Sequence, residues 1–184
     1  MNIPGNGNGR IARLIPVICL VLVFIVVAVA SVFAHDPGLS AAVLKLKGGQ
    51  VETHLTFARG DIETLVALDD DRDGQITQTE SQNHKSQLEA LAAESVEVKT
   101  AGRIIQTSLT GVSLDDSNGV HFKFSFVKPA NEVFTFQSKL IQRLSRGHRQ
   151  YLEVLNSADK LISSRLLESA SNTYEASAAV IAEA

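Results

Sequence analysis

A short acidic segment, residues 69–80, carries the side chains best suited to chemistry in this chain: Asp-Asp-Asp-Arg-Asp-Gly-Gln-Ile-Thr-Gln-Thr-Glu. Asp69, Asp71 and Asp73 alternate with other residues, so their carboxylates converge when the segment curls. A hard cation takes six to eight oxygen ligands at roughly 2.3–2.6 Å, and one such turn can supply most of them. Gly74 follows where the chain must turn sharply, which favours a residue without a Cβ. The segment therefore predicts a site for a hard divalent cation.

The later residues of the segment complete a twelve-position ligand pattern. Counted from Asp69, position seven (Gln75) offers its backbone carbonyl, position nine (Thr77) its hydroxyl or a water, and position twelve (Glu80) a bidentate carboxylate. This is the pattern of an EF-hand loop, and a bidentate Glu in a flexible oxygen cage favours Ca²⁺ over Mg²⁺. The alternative is an acidic surface turn that has lost its ion. The predicted metal ligands are Asp69, Asp71, Asp73, Gln75, Thr77 and Glu80.

A second acidic segment, residues 115–119, does not repeat this pattern. It reads Asp-Asp-Ser-Asn-Gly, and no Glu follows at the required offset, so it predicts a hairpin turn. EF-hands usually occur in pairs, whereas this chain has one loop. Cooperative sensing of calcium is therefore not expected.

The elements on either side of the loop are predicted to be helices. Asp61 is predicted to cap a short helix whose apolar residues lie within 62–68. After the loop, Thr77 and Glu80 form a Thr-x-x-Glu capping box that opens a second helix, polar over residues 81–87. Glu80 can therefore serve either the helix cap or the ion, and the sequence leaves both roles open.

Most of the remaining chain predicts strands. Apolar and polar residues alternate, and short turns such as Gly48-Gly49 separate the segments, which favours an antiparallel β-sandwich. The predicted fold is mainly β, with the helix–loop–helix inserted at about residues 61–94. The predicted strands cover residues 43–47, 51–57, 96–98, 104–109, 120–126, 133–141, 150–155 and 161–167.

The N-terminus predicts export. Arg10 and Arg13 precede an apolar run over residues 14–34, and Val32-Phe33-Ala34 is followed by a polar, turn-prone sequence, as in a signal peptide cleaved after Ala34. The alternative is an uncleaved membrane anchor, because the run is near 20 residues long. Either interpretation places the remainder outside the cytoplasm, in the periplasm or secreted. We expect residues 1–34 to be the signal peptide or anchor, 35–175 the sandwich domain and 176–184 a tail.

The composition excludes several functions. The formal net charge is −3, which disfavours a nucleic-acid partner. The single cysteine, Cys19, lies in the apolar run, so disulfides and thiolate chemistry are not expected after it. No Gly-x-Ser-x-Gly or other nucleophile context is present, and Asp61 and Glu63 are close only because they share a helical turn. The sequence therefore predicts no enzyme and no catalytic residues.

The histidines are candidate ligands of a transition metal. None has a partner at the short spacings typical of such sites, and four of the five resemble solvent-facing strand, helix or loop residues, so the sequence predicts no shared site. If cleavage follows Ala34, His35 becomes the new N-terminus, and its amine and imidazole could chelate copper in a manner resembling the histidine brace of copper oxygenases. An ordinary exposed terminus is the preferred interpretation. The five histidines are at positions 35, 54, 84, 121 and 148.

Three sequence segments together resemble a known family. The segments precede the acidic loop and are residues 34–40 (Ala-His-Asp-Pro-Gly-Leu-Ser), 55–59 (Leu-Thr-Phe-Ala-Arg) and 61–63 (Asp-Ile-Glu). They are similar to the extracytoplasmic N-terminal region of some bacterial HupE/UreJ proteins. That family resembles nickel or cobalt permeases. No apolar segment after Ala34 is nearly long enough to span a membrane, so the resemblance does not imply that this chain transports metal ions. The resemblance implies a soluble module, and a second expected function is an accessory or metal-delivery partner of such a membrane protein.

Overall fold

Two β-sheets make up most of the computed structural model, which describes residues 38–47, 49–129 and 133–177. One sheet has six strands, the other has four, and nearly all neighbouring strands are antiparallel. The predicted fold class, a mainly β, largely antiparallel sandwich, is confirmed. The strands in these residues are β1 (Leu39–Lys47), β2 (Gln50–Ala58), β3 (Val96–Thr100), β4 (Arg103–Ile105), β5 (Ser108–Leu114), β6 (Gly119–Val127), β7 (Val133–Ser138), β8 (Arg149–Leu155), β9 (Leu161–Glu168) and β10 (Thr173–Ser177). The first sheet has the order β5-β6-β2-β1-β8-β9, and the second has the order β10-β7-β3-β4.

The core lies between the sheets and is rich in phenylalanine. Strand β6 alternates as its sequence predicts, with Phe122, Phe124 and Phe126 buried. Phe126 of the first sheet meets Phe134 of the second edge to face, with ring centroids 5.5 Å apart. Offset and edge-on aromatic pairs contribute about 0.5–1.5 kcal/mol beyond the area they bury. These rings therefore hold the two sheets face to face.

The hairpin of β1 and β2 forms as predicted, with Leu46 opposite Val51. Among the described strands, the exception to antiparallel pairing is on the other side of β1, where β8 runs parallel to it and Leu44 lies opposite Val154. A parallel neighbour requires a long crossover, and here most of the domain lies between the two strands in sequence. Local sequence patterns carry no signal for such a pairing.

Three helical segments lie between β2 and β3: α1 (Arg59–Glu63), α2 (Gln78–Asn83) and α3 (Lys85–Ser95). The predicted capping role of Asp61 is wrong, because α1 starts at Arg59 with Ala58 as its N-cap, and Asp61 is buried within the helix. The capping box of Thr77 and Glu80 is confirmed at the start of α2. Helix α3 buries Leu88, Leu91 and Ala92 in the same cluster as the core phenylalanines.

Two predicted strands end earlier than expected. Residues 104–109 do not form one strand, because the chain leaves the second sheet after Ile105 and enters the first at Ser108. Residues 133–141 also divide, since β7 ends at Ser138 and Leu140–Gln142 form a 3₁₀ turn. The sequence did not predict β10, which pairs with β7 and includes the first two residues of the predicted tail.

The predicted signal segment, the cleavage site and His35 lie outside the described residues. Within residues 38–47, 49–129 and 133–177, no helix is long and apolar enough to cross a membrane.

Candidate metal centre

Three of the predicted ligands come together in the loop between α1 and α2. Asp69, Asp71 and Asp73 each offer a carboxylate oxygen, and these oxygens all lie within 4.8 Å of one another. Two oxygens on opposite sides of a Ca²⁺ ion lie at most about 5 Å apart, since each sits roughly 2.3–2.6 Å from the metal. The separation and the all-oxygen chemistry of this cluster therefore fit a hard cation.

Hydrogen bonds within the loop hold these carboxylates in place. Asp69 accepts from the backbone N–H groups of Asp73, at 3.2 Å, and Gly74, at 2.8 Å. Asp71 accepts from the Asp73 N–H at 3.1 Å, and Asp73 accepts from the Gln75 N–H at 2.7 Å. Gly74 has a φ of 84°, in the left-handed region that glycine enters most easily. The curl that gathers the carboxylates is thus built from the loop's own backbone.

Glu80 is buried and lies outside the group formed by the three aspartates. Its Oε2 accepts from the N–H and the hydroxyl of Thr77, both at 2.8 Å, and its Oε1 accepts from the Asp70 N–H at 2.8 Å. The backbone N–H of Thr77, followed by its hydroxyl and the Asp70 N–H, lowers the pKa of Glu80 to about 2. Glu80 is therefore a carboxylate at neutral pH, and in this structure it serves the helix cap.

The other two predicted ligands are exposed. Gln75 donates its N–H to Asp73, and the Thr77 hydroxyl both donates to Glu80 and accepts from the Glu80 N–H, at 3.2 Å. A cation beside the aspartates would therefore compete with Thr77 and Asp70 for the Glu80 carboxylate. Of the six predicted ligands, the structure gathers three carboxylates and holds the fourth in hydrogen bonds at the loop's end.

Two contacts join the loop to neighbouring helices. Arg59 of α1 donates from Nη2 to the Gly74 carbonyl at 2.9 Å. Asp70 lies 2.8 Å from Nε2 of His84, between α2 and α3, and this hydrogen bond raises the pKa of His84. Ile76, also in the loop, is partly buried and packs against the core. The loop is therefore tied to the helical insertion on both sides.

The second acidic segment forms the predicted hairpin turn between β5 and β6. Asp115 accepts from the N–H groups of Ser117 and Gly119, both at 2.8 Å, and Leu114 lies opposite Val120 where the strands resume. Asn118 has a φ of 63°, a conformation that Asn tolerates better than most residues. These bonds commit one carboxylate oxygen of Asp115 to the turn.

His148 does not face solvent, because its side chain is fully buried. Its Nε2 lies 2.9 Å from the Ser40 hydroxyl, and its Nδ1 lies 3.6 Å from the Asp61 carboxylate. Burial lowers the pKa of His148, against the opposing effect of Asp61. Asp61 also accepts from the Gly38 N–H at 3.3 Å, so this network fastens the start of β1 to α1 and β8.

The residue types in this network are those of a nucleophilic triad, but its surroundings differ from an active site. Ser40 is only 4% exposed, and neither of the two cavities described below is lined by it. A nucleophile must reach its substrate, so we interpret Ser40, Asp61 and His148 as a buried polar network. The absence of enzymatic activity stays a prediction.

Two cavities open on the first sheet. One, of about 390 Å³, lies between the acidic loop and the β5–β6 turn and includes Arg59, Gln75 and Asp115 in its lining. The other, of about 500 Å³, is bordered by His54 and Lys123. The first cavity gives solvent a path along one side of the acidic loop.

A scan against protein-family models found no match, and a search of the curated proteins found none. The resemblance to HupE/UreJ proteins therefore remains a prediction from the residues alone.

Proposed function

We propose that this chain is an exported protein that binds one Ca²⁺ ion in the loop of residues 69–80, with a structural or interaction role. The observation that carries the proposal is the gathering of the Asp69, Asp71 and Asp73 oxygens within 4.8 Å. Three carboxylates at this distance repel one another, and a divalent cation between them removes the repulsion. Calcium suits the cluster because it accepts irregular oxygen cages, whereas Mg²⁺ requires near-ideal octahedral geometry.

Glu80 supplies the coupling between the ion and the fold. In the structure it caps α2 through Thr77, and in the proposed complex the same carboxylate is the bidentate ligand. Asp70 is hydrogen-bonded to His84, and Gly74 is hydrogen-bonded to Arg59. Ordering of the loop therefore also restrains the helices on both sides. The proposed role of calcium is therefore to fix the junction between the helical insertion and the sandwich. An affinity on the order of 10⁻⁴ to 10⁻³ M is expected for such an extracellular module.

A calorimetric titration of the purified chain with Ca²⁺ tests this proposal. The wild-type chain should bind one ion, and Asp71→Asn should weaken binding by at least about tenfold, because it removes a charged ligand. Asp116→Asn is the matched control, since it removes the same charge from the exposed β5–β6 turn. Equal weakening by both substitutions would mean that net charge, and not the loop, attracts the ion, and would contradict the proposal.

A further inference from the structure

Two histidines that are far apart in sequence lie side by side on the outer face of the first sheet. Strands β2 and β6 pair so that Thr56 lies opposite His121, and His54, two residues earlier, lies opposite Lys123. Residues two apart on a strand share a face. Nε2 of His54 and Nδ1 of His121 are 3.2 Å apart, and the ring centroids are separated by 5.1 Å. The fold thus brings together two ring nitrogens that sequence spacing keeps apart.

The other nitrogen of His121 is held by a carboxylate. Nε2 of His121 lies 2.7 Å from Oδ2 of Asp115, while Oδ1 of Asp115 accepts from two N–H groups of its own turn. Asp115 is thus held at Oδ1 by its own turn and faces His121 with Oδ2, as an acceptor-only carboxylate does. His121 therefore carries its proton on Nε2, and the lone pair of Nδ1 points toward His54 and Thr56. Metal-bound histidines are commonly oriented by a carboxylate in this way.

We propose that His54 and His121 form a binding site for a transition-metal dication of the Zn²⁺ or Cu²⁺ type, with Asp115 as a positioning residue. Two nitrogens at about 2.0–2.1 Å from a tetrahedral Zn²⁺ lie about 3.3 Å apart, which agrees with the observed 3.2 Å. Imidazole nitrogens suit such metals, whereas Ca²⁺ requires oxygen ligands. The site is therefore chemically distinct from the acidic loop and does not rest on the calcium proposal.

The surroundings favour an open site with exchangeable positions. Thr56 places its hydroxyl 3.1 Å from Nδ1 of His121, and His54 borders the cavity of about 500 Å³, so solvent reaches the pair. Two protein nitrogens leave the remaining coordination positions to water, the Thr56 hydroxyl or a ligand from a partner. Lys123 lies near His54 and opposes a cation there. These features predict weaker, more readily exchanged binding than in a closed four-ligand site.

A direct hydrogen bond between the two rings is the competing explanation of the 3.2 Å contact. Zn²⁺ titration by calorimetry, with and without millimolar Ca²⁺, separates the two explanations. The wild-type chain should bind one Zn²⁺ in both conditions, and His54→Gln and His121→Gln should each weaken binding by at least about tenfold. His84→Gln is the matched control, because it removes an imidazole that hydrogen-bonds Asp70 and does not belong to the pair. Thermal melts establish that each variant is folded.

Imidazole ¹⁵N resonances provide a readout that a purely structural pair would not give. Zn²⁺ should shift Nδ1 of His121 and Nε2 of His54, and should leave His148 unchanged. Asp115→Asn should alter the tautomer of His121 and weaken Zn²⁺ binding about 10–100-fold. Zn²⁺ binding that persists after both His54 and His121 are replaced, or no binding to the folded wild-type chain at millimolar Zn²⁺, would overturn the proposal.

Discussion

Oε2 of Glu80 accepts two hydrogen bonds from Thr77, one from its N–H and one from its hydroxyl, both at 2.8 Å. The same carboxylate is the proposed bidentate ligand of the loop. A helix cap and a metal ion therefore compete for one side chain. The competition explains how an ion in an exposed loop could influence the start of α2.

Removal of the Thr77 hydroxyl should destabilise the protein without added calcium. Thr77→Ala deletes both the hydrogen bond to Glu80 and the acceptor for the Glu80 N–H, and loss of such an N-cap lowers the free energy of unfolding by about 1 kcal/mol. Thr77→Ser keeps the hydroxyl and serves as the control. Urea unfolding in chelator measures the difference. Equal stability of the Ala and Ser variants would contradict the capping role.

Gly74 should be required for the curl of the loop. Its φ of 84° is strained for a residue with a Cβ, so Gly74→Ala should destabilise the loop by about 1 kcal/mol and weaken calcium binding, although a Cβ there would meet no neighbouring atom. Gly60→Ala is the matched control, because Gly60 lies in α1, has ordinary helical geometry and also has open space around it. That control should be neutral or stabilising. Calcium calorimetry and urea unfolding compare the two, and a neutral Gly74→Ala would disprove the requirement.

Stability should fall as the pH drops through the ordinary range of histidine, in part because of His148. Burial lowers the pKa of His148 in the folded protein, so the unfolded chain binds the proton first as the pH decreases. The stability that neutral His148 contributes is fully present above about pH 6.5. Below that pH, the free energy of unfolding falls by no more than about 1.4 kcal/mol per pH unit for this one proton. Urea unfolding of the wild-type chain and His148→Gln between pH 7.5 and 5.5 measures this effect. Identical pH slopes would show that His148 does not contribute.

The sequence predicts those parts of the structure that depend on local spacing. The alternation of apolar and polar residues around Phe122, Phe124 and Phe126 identifies β6. The placement of Asp69, Asp71 and Asp73 at every second position predicts that their carboxylates come together. In both cases, backbone geometry over a few residues fixes where the side chains point.

Features that depend on pairing between distant strands could not be predicted from the sequence. His54 and His121 meet only because β2 pairs with β6, and His148 meets Ser40 only because β8 inserts beside β1. The spacing of these residues along the sequence does not indicate either contact. The role of Glu80 is ambiguous for a different reason: the same Thr-x-x-Glu pattern satisfies the capping box and the last ligand position, and only energetics decides between them.

Calcium calorimetry on the wild-type chain, Glu80→Gln and Glu89→Gln tests whether the loop binds Ca²⁺ with Glu80 as a ligand. Glu89→Gln is the matched control, since it removes the same charge from α3, where Glu89 has, among the described residues, only a 3.8 Å ion pair with Lys85. The wild-type and Glu89→Gln chains should each bind one ion at roughly 10⁻⁴ to 10⁻³ M, and Glu80→Gln should bind it at least about tenfold more weakly, with all three chains folded. Normal calcium binding by Glu80→Gln, or no binding by the wild-type chain at millimolar calcium, would contradict the calcium proposal.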